Sequence, residues 1–280
     1  MLDTGKRGGG AAPQQMIVWA FSDQHALRVA ITSAGRMKSA SVLFWDGAQG
    51  WTGQARGREA RWTRSSEDLA LTGGTETLRV QTRGCAVTVE RPGGALRIAG
   101  RAEKIRDGEA LLFDLRFSRP LSYGWAMGSG RLLGGLRAEG RAQLGDREYL
   151  FAPAYAFGAV EENRVPWRAL AVGQAAGETV CLAWGDGKTG SVMLTVRGGV
   201  TLQEARWEPF PAEGPWRWSC GTEPITFTPL AALREETPVL WRRKPGNIWT
   251  FGRFNGSLLL PEGEAITIRQ MAGVVRDLIN

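Results

Sequence analysis

The chain has 280 residues, 43% of them hydrophobic and 22% charged, which excludes wholesale disorder and leaves room for one large β domain or two of ordinary size. Lys and Arg total 35 against 28 Asp and Glu, and the excess of +7 lies wholly in residues 1–140, which hold 20 basic and 13 acidic residues. A single histidine and the absence of any Cys-x-x-Cys pair exclude metal sites built on histidine clusters or paired thiolates.

Residues 1–15, rich in Gly, Ala, Pro and Gln, read as a flexible lead-in. From Met16 onward short runs alternate apolar with polar residues at period two, the pattern of half-buried antiparallel strands. Ile17–Phe21, Leu27–Thr32, Ser41–Trp45, Leu78–Thr82, Ala86–Glu90, Leu96–Ala99 and Leu111–Phe117 carry it in the first half. Arg141–Leu144 and Arg147–Phe151 follow, joined by Gly145-Asp146, a two-residue hairpin signal. The style continues through Trp167–Val172, Thr179–Trp184, Ser191–Val196, Val200–Trp207, Trp216–Cys220, Ile225–Thr228, Ile248–Phe251, Gly256–Leu260 and Ala265–Arg269. With 38 Gly and 13 Pro as punctuation, this density of short strands predicts an all-β protein of sandwiches or barrels. Gln270–Ile279 reads as the one helix, because Met271, Val274, Val275 and Leu278 recur at helical spacing. The Gly-rich segment Gly124–Gly135 is the expected seam, giving an N-terminal β-barrel domain over 16–128 and a C-terminal one over 129–280.

The arginines stand singly along alternating strands, which reads as solvated strand faces rather than a nucleic-acid surface. Three widely spaced cysteines (85, 181 and 220), no apolar stretch of signal-peptide length and no run of eighteen apolar residues predict a cytoplasmic protein without membrane insertion, monomeric or homodimeric. In that compartment the Asn255-Gly-Ser257 sequon stays unglycosylated.

Several familiar motifs fail on context. Gly187-Lys188-Thr189 lacks the first glycine and the following helix of a phosphate-binding loop, so it reads as a hairpin turn. Gly128-Ser-Gly130 lacks the third glycine of a dinucleotide fingerprint. His25 stands alone on an early strand and reads as a packing or surface residue. Twelve tryptophans remain, which serve either as barrel core or as the walls of a ligand cavity. The most unusual segment is Tyr155-Ala-Phe-Gly-Ala-Val-Glu-Glu-Asn-Arg-Val-Pro-Trp167. Two carboxylates end an otherwise apolar strand, pointing to opposite faces. A carboxyl entering an apolar interior has its pKa raised and becomes a proton donor near neutral pH; at a rim it is a solvated loop group.

Ala138-Glu-Gly-Arg-Ala-Gln-Leu-Gly-Asp-Arg-Glu-Tyr-Leu-Phe-Ala-Pro-Ala-Tyr-Ala-Phe-Gly158, Pro215-Trp-Arg-Trp-Ser219, Thr226-Phe-Thr-Pro229 and Phe251-Gly-Arg-Phe-Asn-Gly256 together resemble the bacterial domain-of-unknown-function family 2804, from about residue 130 to the end. That family is similar to the tandem lipocalin-like (calycin) proteins that include AttH-like proteins, carotenoid 1,2-hydratases, tocopherol cyclases and fungal Diels–Alderases. The resemblance implies two tandem lipocalin-like barrels, a hydrophobic small-molecule substrate and no cofactor or metal. The enzymes of that group hydrate, cyclise or close polyene-like substrates. Gly158, Glu161, Glu162 and Asn163 occupy the place of the hydratases' acidic strand-end motif, with its histidines missing and Glu161 in place of the usual aspartate. The expected site therefore has Glu161 or Tyr155 as proton donor, with Glu162, Asn163, Trp167, Trp184, Trp125, Trp218, Tyr123 and Phe157 around the substrate. Two functions follow from one such pocket: a cofactor-independent cyclase, isomerase or hydratase, and a non-catalytic carrier of a hydrophobic molecule. An anion-binding interaction module on the basic half is a third.

Overall fold

A computed structural model describes residues 14–278, apart from stretches between strands of which 63–76 is the longest; side chains are described chiefly in the first sheet and in the last strands of the second. The first sheet holds β1 (Gln14–Phe21), β2 (His25–Ala34), β3 (Met37–Asp46), β4 (Trp51–Arg58), β5 (Arg61–Trp62), β6 (Leu78–Gln81), β7 (Cys85–Glu90), β8 (Leu96–Arg106), β9 (Glu109–Phe117), β10 (Gly124–Met127), β11 (Gly130–Leu144) and β12 (Arg147–Glu162). Its order is β4-β3-β2-β1-β12-β11-β9-β8-β7-β6-β5, with β10 on β11. The second holds β13 (Trp167–Ala175), β14 (Glu178–Gly185), β15 (Gly190–Val196), β16 (Gly199–Glu208), β17 (Trp216–Cys220), β18 (Glu223–Arg234), β21 (Asn247–Leu259) and β22 (Ala265–Leu278). These eight strands pair in a ring, because β22 returns to β13 through Ala169↔Val275, Leu170↔Val274 and Ala171↔Gly273. A separate hairpin joins β19 (Thr237–Val239) to β20 (Arg242–Lys244).

The all-β expectation holds, and two details of it are corrected. The first sheet is an open sheet of twelve strands rather than a closed barrel, and it takes in β11 and β12, so the pairing passes to the second sheet between Glu162 and Trp167. Its two ends nevertheless share one core: Val42 and Phe44 of β3 cluster with Val80, Val87 and Val89 of β6 and β7, which requires the sheet to curl over itself. The expected C-terminal helix is also overturned, since Gln270–Leu278 continues β22 as strand. After the irregularity at Gln270, whose φ is 51°, Met271 and Val275 enter the ring's core while Val274 joins the cluster between the sheets. Burial on both faces fills positions that a one-sided strand would leave polar, and the result mimics helical spacing.

Elsewhere the period-two reading is direct. β7 alternates buried with half-buried positions and β9 exposed with buried ones, as strands covered on one face do. Gly145-Asp146 is the β11–β12 turn. On the solvated face Arg97 grips Asp114 through Nε (2.8 Å) and Nη2 (2.6 Å), with Glu90 at 3.0 Å, and this guanidinium holds the Asp114 carboxyl below its ordinary range. Arg101 pairs with Glu103 and Arg141 with Glu148. Exposed pairs of this kind are screened by solvent and add little, so they explain the arginines without stabilising the fold much.

Candidate functional site

β1 is the strand from which the site is built. Its residues Met16–Phe21 are all buried, with no polar alternation, because both of its faces are covered. Met16, Val18 and Ala20 belong to the first sheet's core, whereas Ile17, Trp19 and Phe21 face the second sheet. Ala26, Ala30, Leu43 and Trp45 of β2 and β3 join them, and Val172, Trp249, Phe251 and Val274 meet them from the ring. This aromatic seam joins the sheets. Trp19 stacks on Phe21 (5.6 Å) and lies 5.3 Å from Trp249 and 5.4 Å from Phe251, while Trp45 stacks on the same Phe251 at 5.6 Å.

Two guanidiniums enter this apolar layer. Arg28 lies 4.5 Å over the Trp249 ring and 5.8 Å from Trp19, and Arg276 lies 5.9 Å over Trp249. Both are at least 97% buried, at 2% and 3% exposure. Cation–π contact out of water is worth on the order of 2 kcal/mol, a partial offset to the desolvation of each charge. The Trp19 and Trp45 indole N–H groups are buried and find no acceptor among the described residues. At the seam's edge Arg253 of β21 donates through Nη2 to the Asp23 carbonyl of the β1–β2 turn and through Nη1 to the Gln270 carbonyl at 3.2 Å.

The strand positions expected at a site divide among several places. β12 pairs with β1 without a break, setting Tyr155 opposite Phe21, Phe157 opposite Trp19 and Glu161 opposite Gln15. Directly opposed residues share a sheet face, so these three positions lie on the seam's face. Glu162, opposite Gln14, takes a position on the first sheet's inner face. Trp184 opposes Ala169, one period from the Leu182↔Ala171 pair of the ring's core, and Trp218 opposes the core residue Ile225. Trp167 stands at the start of β13 opposite Gly185, and Trp125 opposite Leu132 on β10. Tyr123 and Asn163 lie outside the described residues.

Sequence reasoning overlooked both the seam's own residues and a second polar cluster. Signals for the seam existed: six unbroken apolar residues at 16–21, and Arg28 inside an apolar strand. The second cluster lies on the first sheet's inner face. His25 pairs across the β2–β3 ladder with Asp46, and the Tyr149 hydroxyl donates to Asp46 Oδ2 at 3.0 Å in a buried setting. The His25 ring meets Tyr149 edge-on at 4.9 Å, with Phe44 and Phe151 beyond, and its Nδ1 has no hydrogen-bond partner among the described residues. Burial holds the His25 pKa below its ordinary value of 6.5, against the opposing Asp46 charge and a Gln24 backbone hydrogen bond. Burial also raises the Tyr149 phenol, helped by its bond to Asp46.

No protein-family model and no curated protein sequence matches the chain. Solved structures do. An AttH-like protein from Nitrosomonas europaea is 14% identical over 96% of this chain and 93% of its own, with a TM-score of 0.60. Kievitone hydratase from Nectria haematococca is 9% identical over 96% and 90%, also at 0.60, and CghA with Sch210972 is 10% identical over 95% and 88%, at 0.57. At these identities the likeness is one of fold: the chain shares the lipocalin-like all-β architecture of AttH-like proteins, kievitone hydratase and CghA.

Proposed function

We propose that the protein is a cofactor-independent cyclase, isomerase or hydratase that folds a hydrophobic, polyene-like intermediate against the aromatic seam. The observation that carries this is the seam itself, where Trp19, Trp45, Trp249 and Phe251 from two sheets converge on one layer that also holds donor groups. Kievitone hydratase, which shares the fold, is a hydratase by name. Shape accounts for much of such a reaction: holding a flexible chain in a near-attack conformer removes several kcal/mol of entropic barrier, about 7 or more in well-oriented systems, without a strong catalytic group. Glu161 is the proposed proton donor, its strand position sharing the seam's face with those of Tyr155 and Phe157. Along the strands it stands four residues, roughly 13 Å, from the Trp19–Phe157 row, the length of an extended chain of about ten carbons.

The test is turnover of candidate polyenes by Glu161→Gln. A fall of about 100-fold or more in kcat with unchanged binding is expected for loss of a general acid. Unchanged kcat removes Glu161 as the acid.

One observation favours a second reading, a carrier with no chemistry. Buried Asp46 and Tyr149 and half-buried His25 gather on the first sheet's inner face, away from the seam. Recovery of a quenching polyene unchanged after long incubation is the outcome for a carrier; conversion is the outcome for the enzyme.

A further inference from the structure

We infer that the molecule held at the seam carries a carboxylate head, received by Arg28, Arg276 and the indole N–H groups of Trp19 and Trp45. The inference rests on the seam being a binding site and adds the chemical class of what it binds.

Trp19 is 1% exposed and Trp45 5% exposed, and neither indole N–H meets an acceptor among the described residues. Buried donors are almost always satisfied, so two such donors in one cluster point to an acceptor supplied from outside the chain. They are neighbours. Phe251 touches both indoles, at 5.4 and 5.6 Å, and the Ala26↔Trp45 and Arg28↔Trp19 pairs are adjacent rows of the same face. Arg28 therefore stands between the two donors in the lattice of the sheet. From across the seam Arg276 approaches the Trp249 ring over which Arg28 also lies. Both guanidiniums have other contacts within the protein. Among the described residues nothing supplies an oxygen to the indoles, and the polar side chains beside them are guanidiniums whose Nε atoms also lack a hydrogen-bond partner there. A neutral hydrocarbon would leave the indole N–H groups and the guanidinium Nε–H groups unmet. A carboxylate supplies acceptor oxygens to the indoles and matches the planar fork of a guanidinium.

Two probes with the same polyene separate head from tail: all-trans-retinoic acid and its methyl ester, titrated into the full-length protein at pH 8 and followed by quenching of tryptophan fluorescence. The acid is expected to bind about tenfold or more tightly than the ester, the scale of one charge-assisted hydrogen bond. Arg28→Gln and Arg276→Gln should each weaken the acid about tenfold and leave the ester unchanged. Trp45→Phe, which removes a single donor from a folded aromatic layer, should narrow the acid-to-ester ratio and serves if a glutamine variant does not fold. Equal affinity of acid and ester in the unaltered protein overturns the carboxylate head while leaving the seam as a polyene site. Binding of neither probe overturns the seam reading, and this inference with it. An acid preference untouched in all three variants overturns the assignment to these residues.

Discussion

Asp46 and Tyr149 stand 103 residues apart in the chain and 3.0 Å apart in the fold, and His25 completes a polar cap on an otherwise apolar core. A buried bond from phenol to carboxylate is worth about 1.5–3 kcal/mol, so the cluster fixes the end of the inner layer as well as presenting acid–base groups. His25 gives it a pH signature. Because burial lowers its folded pKa, the unfolded chain binds the proton more readily; its neutral form supports stability fully above the ordinary value of 6.5, and that support is lost as pH falls through 6.5 towards the lower folded value. Urea denaturation between pH 8 and pH 5 should therefore show a fall in stability that is diminished in His25→Gln; identical slopes for the two proteins would remove His25 as its source. In the sequence His25 is a lone histidine and reads as a packing or surface residue. The ladder that brings Asp46 opposite it cannot be seen in either residue's neighbours, because register is a property of two strands.

At the scale of elements, the junction of β21 and β22 is set by a bulge. Asn255 Oδ1 accepts from the Gln270 backbone N–H at 2.8 Å and from its Nε2 at 3.2 Å, which holds Gln270 in the left-handed region. Gly256, with φ of 151°, passes so close to β18 that a Cβ would stand 2.9 Å from both the Ile225 Cα and the Pro224 carbonyl oxygen. The Phe251-Gly-Arg-Phe-Asn-Gly256 run that supports the family resemblance is thus, in this fold, the sequence of a bulge that re-aims β22 so that Val274 and Arg276 face the seam. Gly256→Ala should cost about 1–3 kcal/mol in chemical denaturation, from backbone strain and the close approach together. A change under about 0.5 kcal/mol would mean that the bulge relaxes freely. The same bulge explains why 270–279 misleads as a sequence: the one-residue offset shifts the alternation midway, and burial on the second face supplies the remaining apolar positions. β1 shows the converse. Its unbroken apolar run is compatible with a strand covered on either or both faces, and only pairing with β2 and β12 decides.

For the molecule as a whole, antiparallel β structure was legible wherever apolar and polar residues alternate, since period-two patterning reports which residues share a face, and it was missed in the glycine-rich stretches that form β4, β10 and the start of β11. Closure and partnership were not. β1 pairs with β12 across more than 120 residues of chain, and the twelve-stranded sheet stays open while the second set of strands returns on itself. Nothing local encodes such long-range choices. For the same reason the tryptophans counted in the sequence could not be sorted into core, ring interior and seam, and those that meet across the sheets, Trp19, Trp45 and Trp249, come from opposite ends of the chain. On the proposed reading, the aromatic layer that the two sheets present is what receives a hydrophobic molecule. Photo-crosslinking with a diazirine-bearing palmitate, mapped residue by residue by mass spectrometry, tests it most directly. Labelling concentrated on the seam residues of β1–β3, β21 and β22 and displaced by excess unlabelled palmitate is the predicted result; labelling confined to the solvated faces of β7–β9, or insensitive to competitor, would contradict it.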